Sequence, residues 1–177
     1  MKQMEFKILG CKGKINDIET VLGITQQYEK KYGVTLLLLN PCLIYGKNHI
    51  ESAVKHAIRA FKEKRNTSHS LSLEILLYAS GKTQLKDAIE FMGIKRTGPY
   101  VIICVGKTRI SGSENSIPKG IGNLITDLKL EKDNSVLNGN KEILYRFGIT
   151  DTELKTVDKS MYQDLILERV AMVDVLK

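Results

Sequence analysis

Residues 48–61, with the sequence NHIESAVKHAIRAF, contain the clearest helical pattern in the chain. Asn48 is expected to cap the helix, with Glu51 as its capping-box partner three residues later. Apolar side chains at helical spacing face a core, whereas the side chains between them face solvent. The stretch therefore predicts an amphipathic helix whose apolar face consists of Ile50, Ala53, Val54, Ala57, Ile58 and Phe61.

Strand-like and helical segments alternate on both sides of this helix. The apolar run 34–39 is typical of an interior strand that is covered on both faces. Residues 71–80 fit either a strand or a helix, and Gly81 ends the segment in both cases. Alternation of this kind predicts a single α/β or α+β domain over residues 1–177. Further strands are predicted at 4–11 and 99–105, and further helices at 15–22, 85–92, 121–128 and 143–147. Another helix is predicted to follow the capping box Thr150–Glu153. The last predicted helix starts at Ser160, with Gln163 as its capping-box partner.

Length and composition exclude several classes of protein. The chain has 177 residues, of which 42% are hydrophobic and 27% charged, so we expect a folded domain. The apolar runs are shorter than the roughly 18 residues that a membrane span needs. The start of the chain leads directly into a strand-like run, so a secretory signal is not expected. Three cysteines without a CxxC pair are typical of reduced, partly buried thiols in a cytoplasmic protein.

The positive charge is concentrated in the first part of the chain. The formal net charge is +7. Residues 1–100 contain 16 Lys and Arg against 9 Asp and Glu, whereas residues 101–177 contain 11 of each sign. This asymmetry is consistent with an acidic partner such as nucleic acid, but composition alone favours a lysine-rich, solvated surface.

The catalytic motifs in the sequence are incomplete. Two Gly-Lys-Thr fragments, at 81–83 and 106–108, lack the glycine that a phosphate-binding P-loop needs five residues earlier. His49 and His56 lie seven residues apart, about 10.5 Å along a helix, which is too far for one zinc ion. We therefore predict neither a catalytic residue nor a metal site.

Two surfaces stand out instead. On the helix from Asn48, the outward face carries Lys55, Arg59 and Lys62. Neighbouring like charges repel, and a phosphate backbone would offset this repulsion; a simple solvated face is the alternative.

The last predicted helix is the second surface. Between residues 161 and 176 its apolar side chains spread over about 180°, whereas an ordinary amphipathic helix needs about 100°. Either the helix is deeply buried, or part of it is available to a partner. Met161 and Met172 suit an adaptable protein contact.

The central part of the sequence resembles a known family. The resemblance rests on Gly46, His49, Ser52-Ala53, His56-Ala57 and Arg59-Ala60-Phe61, followed by EILLYASG at 74–81, then Gln84 and Gly93-Ile94-Lys95. These residues resemble the small accessory subunit of the KEOPS complex, the family of the PRPK-binding protein. Thr83 departs from the pattern, because the family often has a basic residue there.

This resemblance implies a non-catalytic role without a cofactor. KEOPS makes the threonylcarbamoyl modification of adenosine in tRNA. In this family the small subunit attaches to the atypical kinase/ATPase subunit and helps to recruit tRNA through its single-stranded CCA end. The implied fold is a small mixed sheet with several helices packed around it. The alternative is a pure protein-interaction adaptor that regulates the kinase subunit without contacting RNA.

The resemblance also assigns residues to both partners. Cations would neutralise phosphates, while Gln84 and the region of Tyr78 would contact a splayed base. The candidate tRNA-binding residues are His49, Lys55, His56, Arg59, Lys82, Gln84 and Lys95, together with Lys47, Lys62 and Arg96 from charge alone. The candidate kinase-docking residues are Leu154, Val157, Met161, Leu165, Ile166 and Met172.

Overall fold

Strands and helices follow one another along residues 4–107 and 116–177, which are the residues that the computed structural model describes. The chain divides into two compact units. Unit 1 consists of Met1–Asn40 and Ile94–Val136, and unit 2 consists of Pro41–Gly93 and Leu137–Lys177. The predicted mixed α+β class is confirmed.

Unit 1 contains the sheet. Its strands are β1 (Met4–Lys14), β2 (Val34–Leu39), β3 (Thr97–Lys107) and β4 (Glu131–Lys132), in the order β2-β3-β1-β4. All the strand pairs in the described residues are antiparallel, so the expectation of a mixed sheet is wrong.

Strand β2 lies at the edge of the described sheet, whereas its apolar run predicted an interior strand. An apolar run indicates cover on the two faces of a strand, but it does not indicate how many strands lie beside it. The Glu29 carboxylate accepts a hydrogen bond of 2.8 Å from the Leu36 N–H. This contact occupies a backbone donor that an edge strand would otherwise leave unpaired.

Helices α1 (Ile18–Tyr32) and α5 (Ser116–Asp127) complete unit 1. The Asp17 side chain accepts hydrogen bonds from the N–H groups of Glu19 and Thr20, and Gly33 ends α1 in the left-handed conformation. The core of the unit combines one side of the sheet with both helices, and it includes Val21, Leu36, Ile102, Ile121 and Leu124.

Two of the three cysteines are buried in unit 1. Burial raises the pKa of Cys11 to about 11 and that of Cys104 to about 12, so both are protonated thiols at neutral pH. Cys42 of unit 2 is exposed, whereas a partly buried thiol was expected.

Unit 2 is built from helices: α2 (Lys47–Lys62), α3 (Leu71–Ser80), α4 (Leu85–Met92), α6 (Lys141–Arg146), α7 (Asp151–Lys155) and α8 (Tyr162–Leu176). The ambiguous segment 71–80 is the helix α3, which ends at Gly81 with φ of 65°. The first Gly-Lys-Thr fragment therefore lies at the end of a helix. In a P-loop, by contrast, this fragment lies between a strand and a helix. The second fragment reaches Thr108, which is outside the described residues.

One of the three predicted capping boxes is present. The Thr150 side chain accepts from the Glu153 N–H while the Glu153 carboxylate accepts from the Thr150 N–H. The box predicted from Ser160 is wrong, because a short 3₁₀ helix (Lys159–Met161) precedes α8. Gln163 instead donates to the Tyr45 carbonyl at 3.3 Å.

The capping box predicted from Asn48 is also wrong. The cap of helix α2 lies two residues earlier, at Gly46, whose φ is 83°, and the helix begins at Lys47. Glu51 forms an ion pair of 3.2 Å with Lys47. The sequence pattern identified the helix correctly but misplaced its first residue.

Among the described residues, no helix has the length and apolar composition needed to cross a membrane.

Candidate functional site

Helix α2 has one buried face and one basic face. The basic face carries the exposed side chains Lys55, Arg59 and Lys62, as predicted from helical spacing. Like charges four residues apart repel by a few tenths of a kcal/mol, so the neighbouring cations of this row do not stabilise the helix. The fully buried side consists of Ile50, Ala53, Val54, Ala57 and Ala60.

A groove of about 560 Å³ lies along the basic face. One side chain of α8 contributes an apolar contact, and the other lining residues come from α2. Amide, hydroxyl and cationic groups in one groove can recognise both phosphate and base edges. The lining residues are Asn48, Glu51, Ser52, Lys55, His56, Arg59 and Leu167.

Asp174 of α8 contacts two of the side chains that line this groove, Arg59 and His56. Its Oδ2 accepts from Arg59 Nη2 at 2.5 Å and lies 2.8 Å from His56 Nδ1. Arg59 Nη2 also lies 2.9 Å from His56 Nδ1, and a guanidinium only donates, so this nitrogen either donates to Asp174 or accepts from Arg59. The side chain of Asp174 is only 14% exposed, against 49% for Arg59.

The other carboxylate oxygen of Asp174 also has partners. Oδ1 accepts from the Tyr78 hydroxyl and lies 3.9 Å from Arg65 Nη1. Burial is the largest single influence on this carboxyl and by itself raises its pKa. The hydrogen bonds from Tyr78, His56 and Arg59 together outweigh burial and lower the pKa to about 2.

A buried ion pair lies directly beside this network. Lys177 Nζ donates to Glu74 Oε1 at 2.7 Å and to the Tyr78 hydroxyl at 2.6 Å. The side chains of Lys177 and Glu74 are 6% and 0% exposed. Tyr78 is itself fully buried, so the expectation that its region contacts a base is wrong for the tyrosine ring.

His49 does not belong to the surface on which it was predicted. It is fully buried, donates from Nε2 to the Ala79 carbonyl at 2.8 Å and accepts the Tyr45 N–H at Nδ1 at 3.1 Å. Burial lowers the pKa of His49 to about 4, although the bond to Ala79 opposes this. A neutral imidazole with both nitrogens occupied in the interior cannot neutralise an RNA phosphate, so His49 is corrected to a structural residue.

The other predicted tRNA-binding residues of unit 2 are accessible to different degrees. Lys47 is exposed and paired with Glu51. Lys82 is half-buried, with its ammonium 4.8 Å from the centre of the Phe91 ring. Gln84 is exposed at the N-cap position of α4, where its side chain makes no capping hydrogen bond.

Lys95 and Arg96 belong to unit 1 and lie in the segment before β3. Both side chains are exposed. The backbone carbonyls of the two residues accept hydrogen bonds from the Tyr100 hydroxyl at 3.0 Å each, which fixes the path of the chain at this point.

The predicted docking residues divide between interior and surface. Leu154, Leu165 and Ile166 are buried in one cluster of unit 2 and are corrected to core residues. Val157 is half-buried against that cluster. They belong to the core because α6, α7 and the first half of α8 cover one another's apolar faces.

Three of the exposed large apolar side chains among the described residues, Met172, Val175 and Leu176, lie at the end of α8. Met161 is 45% exposed and Met172 is 37% exposed, as a docking role requires. Val175 and Leu176 were not predicted as docking residues, yet they are 75% and 64% exposed. The sequence signal for these two residues was the wide apolar arc of the last predicted helix. The width of the arc did not indicate which of its side chains the fold covers.

Asp174 was also missed, because the residues that it contacts lie more than 90 positions away in sequence. Contacts between residues so far apart leave no pattern in the local sequence. Within residues 4–107 and 116–177, no group of three or more His, Cys, Asp or Glu side chains is placed to hold a metal ion.

Comparison with known proteins gives two matches. The model of a family described as kinase binding protein CGI-121 matches residues 15–174. A protein named regulatory protein Cgi121, from Methanocaldococcus jannaschii, is 30% identical over 145 residues. The aligned region covers 82% of this chain and 87% of that protein.

Proposed function

Because the chain belongs to the CGI-121 family of kinase-binding proteins, we propose that it is a non-catalytic regulatory subunit of the KEOPS complex. In this role it binds the atypical kinase/ATPase subunit and recruits tRNA for threonylcarbamoyladenosine modification. It holds the tRNA by the single-stranded CCA end. The chain therefore has two separate binding tasks, one for RNA and one for protein.

The basic groove of α2 is the observation that supports tRNA binding. Lys55 and Arg59 are exposed cations on its rim, and Lys47 and Lys62 extend the positive row to both ends of the helix. Asn48 and Ser52 add hydrogen-bonding groups that can contact base edges or ribose. Single-stranded RNA exposes phosphates and base edges together, and this is the ligand that such a groove suits.

Titration with two forms of one tRNA tests this proposal. Intact tRNA and the same tRNA without its last three nucleotides are titrated into the protein at several salt concentrations. We expect the trimmed tRNA to bind at least about fivefold more weakly, because contacts to single-stranded bases contribute roughly 1–3 kcal/mol each. Equal affinities for the two forms would contradict recognition of the CCA end.

A charge reversal in the groove provides the matched comparison. Lys55→Glu is expected to weaken binding and to reduce the slope of log K against log salt by about 0.7–0.9 for the lost phosphate contact. Lys30→Glu changes the charge equally at an exposed position of α1 in unit 1 and serves as the control. If the wild-type protein does not bind tRNA at any of these salt concentrations, the chain is instead the adaptor that does not contact RNA.

The exposed end of α8 is the observation that supports kinase docking. Met172, Val175 and Leu176 form an apolar group within two turns of one helix. Large apolar side chains grouped on a surface are typical of protein interfaces. Since the family is named for binding a kinase, we assign this surface to the kinase subunit.

Co-purification with the kinase subunit tests this assignment. Val175→Asp together with Leu176→Asp is expected to abolish co-purification, since both charges would be buried without partners. Ile89→Asp on α4 is the control, because Ile89 is also apolar and 50% exposed. Retention of the kinase by the double variant would place the docking surface elsewhere.

A further inference from the structure

Asp174 places a carboxylate of the same chain against Arg59 and His56, which line the groove. Arg59 and His56 both direct nitrogen atoms at Oδ2, at 2.5 and 2.8 Å, while the Tyr78 hydroxyl donates to Oδ1. Both oxygens of one anion are thus bound by groups from α2 and α3. Arg59 and Tyr78 donate to this anion from two helices, and together with His56 they form an anion site that the last turn of α8 fills.

A phosphate and a carboxylate make the same contacts to such donors. A guanidinium presents its N–H groups in a fixed fork that fits either anion, and an imidazole N–H donates to both. Arg59 and His56 therefore cannot fully engage an RNA phosphate while Asp174 holds them. Of the groove cations, Lys55 lies one turn away from this contact and does not depend on Asp174.

We propose that Asp174 is an internal competitor for phosphate, through which the last turn of α8 lowers the affinity of the α2 groove for nucleic acid. The proposal rests on the proposed function, in which this groove binds tRNA. Phosphate binding to Arg59 replaces the Asp174 carboxylate at this guanidinium. No covalent bond forms or breaks in this exchange.

The same turn of helix carries the proposed kinase contacts. Val175 and Leu176 follow Asp174 directly and are exposed, while Lys177 is held in the interior by Glu74. A partner that shifts this turn alters the position of Asp174 and hence the availability of Arg59. Since coupling between two binding events is reciprocal, tRNA in the groove then alters kinase affinity by the same factor.

Removal of the competing charge tests the proposal directly. Asp174→Asn keeps the size of the side chain and is expected to tighten tRNA binding about two- to fivefold, the range for one partly exposed charge pair. The salt slope is expected to steepen by about 0.7–0.9, as one more cation engages phosphate. Glu168→Gln makes the same charge change at an exposed position of α8 and is the control for net charge.

A double variant assigns the effect to the contact itself. In an Arg59→Gln background, Asp174→Asn should no longer tighten binding beyond the Glu168→Gln control. Equal effects of Asp174→Asn and Glu168→Gln in the wild-type background would overturn the competition and leave tRNA binding intact. Weaker binding by Asp174→Asn would also overturn it, because Asp174 would then position the cations for RNA. A wild-type protein that fails to bind tRNA contradicts the proposed function as well.

A measurement on the wild-type protein covers the case in which Asp174→Asn does not fold. Saturation with tRNA should accelerate hydrogen exchange at the amides of residues 173–177, because this turn loses its contacts to α2. Unchanged or slower exchange at these amides would overturn the proposal.

Discussion

Unit 2 buries polar and charged side chains in its interior, yet it leaves large apolar side chains on its surface. His49 and Glu74 are fully buried, whereas Val175 and Leu176 are 75% and 64% exposed. Both buried groups are hydrogen-bonded: His49 through its two ring nitrogens, and Glu74 by accepting from two backbone N–H groups and from Lys177. Polar side chains are therefore buried where they have hydrogen-bond partners. Apolar side chains are exposed where we expect another molecule to bind.

The largest expected effect comes from a charge placed in the interior of unit 2. Leu165→Asp puts a carboxylate into the apolar cluster that contains Leu154 and Ile166. We expect the free energy of unfolding to fall by about 3–5 kcal/mol, measured by urea denaturation. A stable Leu165→Asp variant that no longer binds the kinase would instead make Leu165 an interface residue.

The buried ion pair gives the next effect. Lys177→Met leaves the Glu74 carboxylate buried without its cation, and we expect a loss of about 2–4 kcal/mol in the free energy of unfolding. The loss is limited because Thr67 and Ser68 still donate to Glu74. Combining Lys177→Met with Glu74→Gln should recover part of the loss. A single variant as stable as the wild type would show that the pair contributes nothing.

Helical periodicity predicted the helices of unit 2 other than α3, because the burial of their side chains follows local spacing. The stripe of α2, the end of α3 at Gly81 and the Thr150–Glu153 capping box each depend on residues a few positions apart. His49 also carried a usable signal: it lies four and eight residues before Ala53 and Ala57, on the buried side of the helix.

The rest could not be predicted because it depends on residues that are distant in sequence. Asp174 lies 115 positions from Arg59, and the exposure of the end of α8 depends on which helices cover its first half. Strand β2 shows the same limit, because its apolar run did not reveal its place at the edge of the sheet.

The pH dependence of stability separates His49 from the exposed histidine His69. The pKa of His49 is lowered from 6.5 to about 4 in the folded protein, so below pH 6.5 the unfolded state binds more protons. Stability is then lost as the pH falls from about 6.5 to about 4. We expect the free energy of unfolding to drop by about 2 kcal/mol between pH 7 and pH 5. Urea denaturation of His49→Gln should show a much smaller drop, while His69→Gln should behave like the wild type.

The smallest expected effect on stability is at the surface that we assign to the kinase. Val175 is 75% exposed, so Val175→Asp removes little packing and buries no charge in the isolated chain. We expect the free energy of unfolding to change by less than about 0.5 kcal/mol, again from urea denaturation. A loss comparable to that of Leu165→Asp would mean that this side chain is covered within the chain itself. A neutral result together with lost kinase binding would show that Val175 contributes to the partner and not to the fold, which is the opposite of what Leu165 does on the same helix.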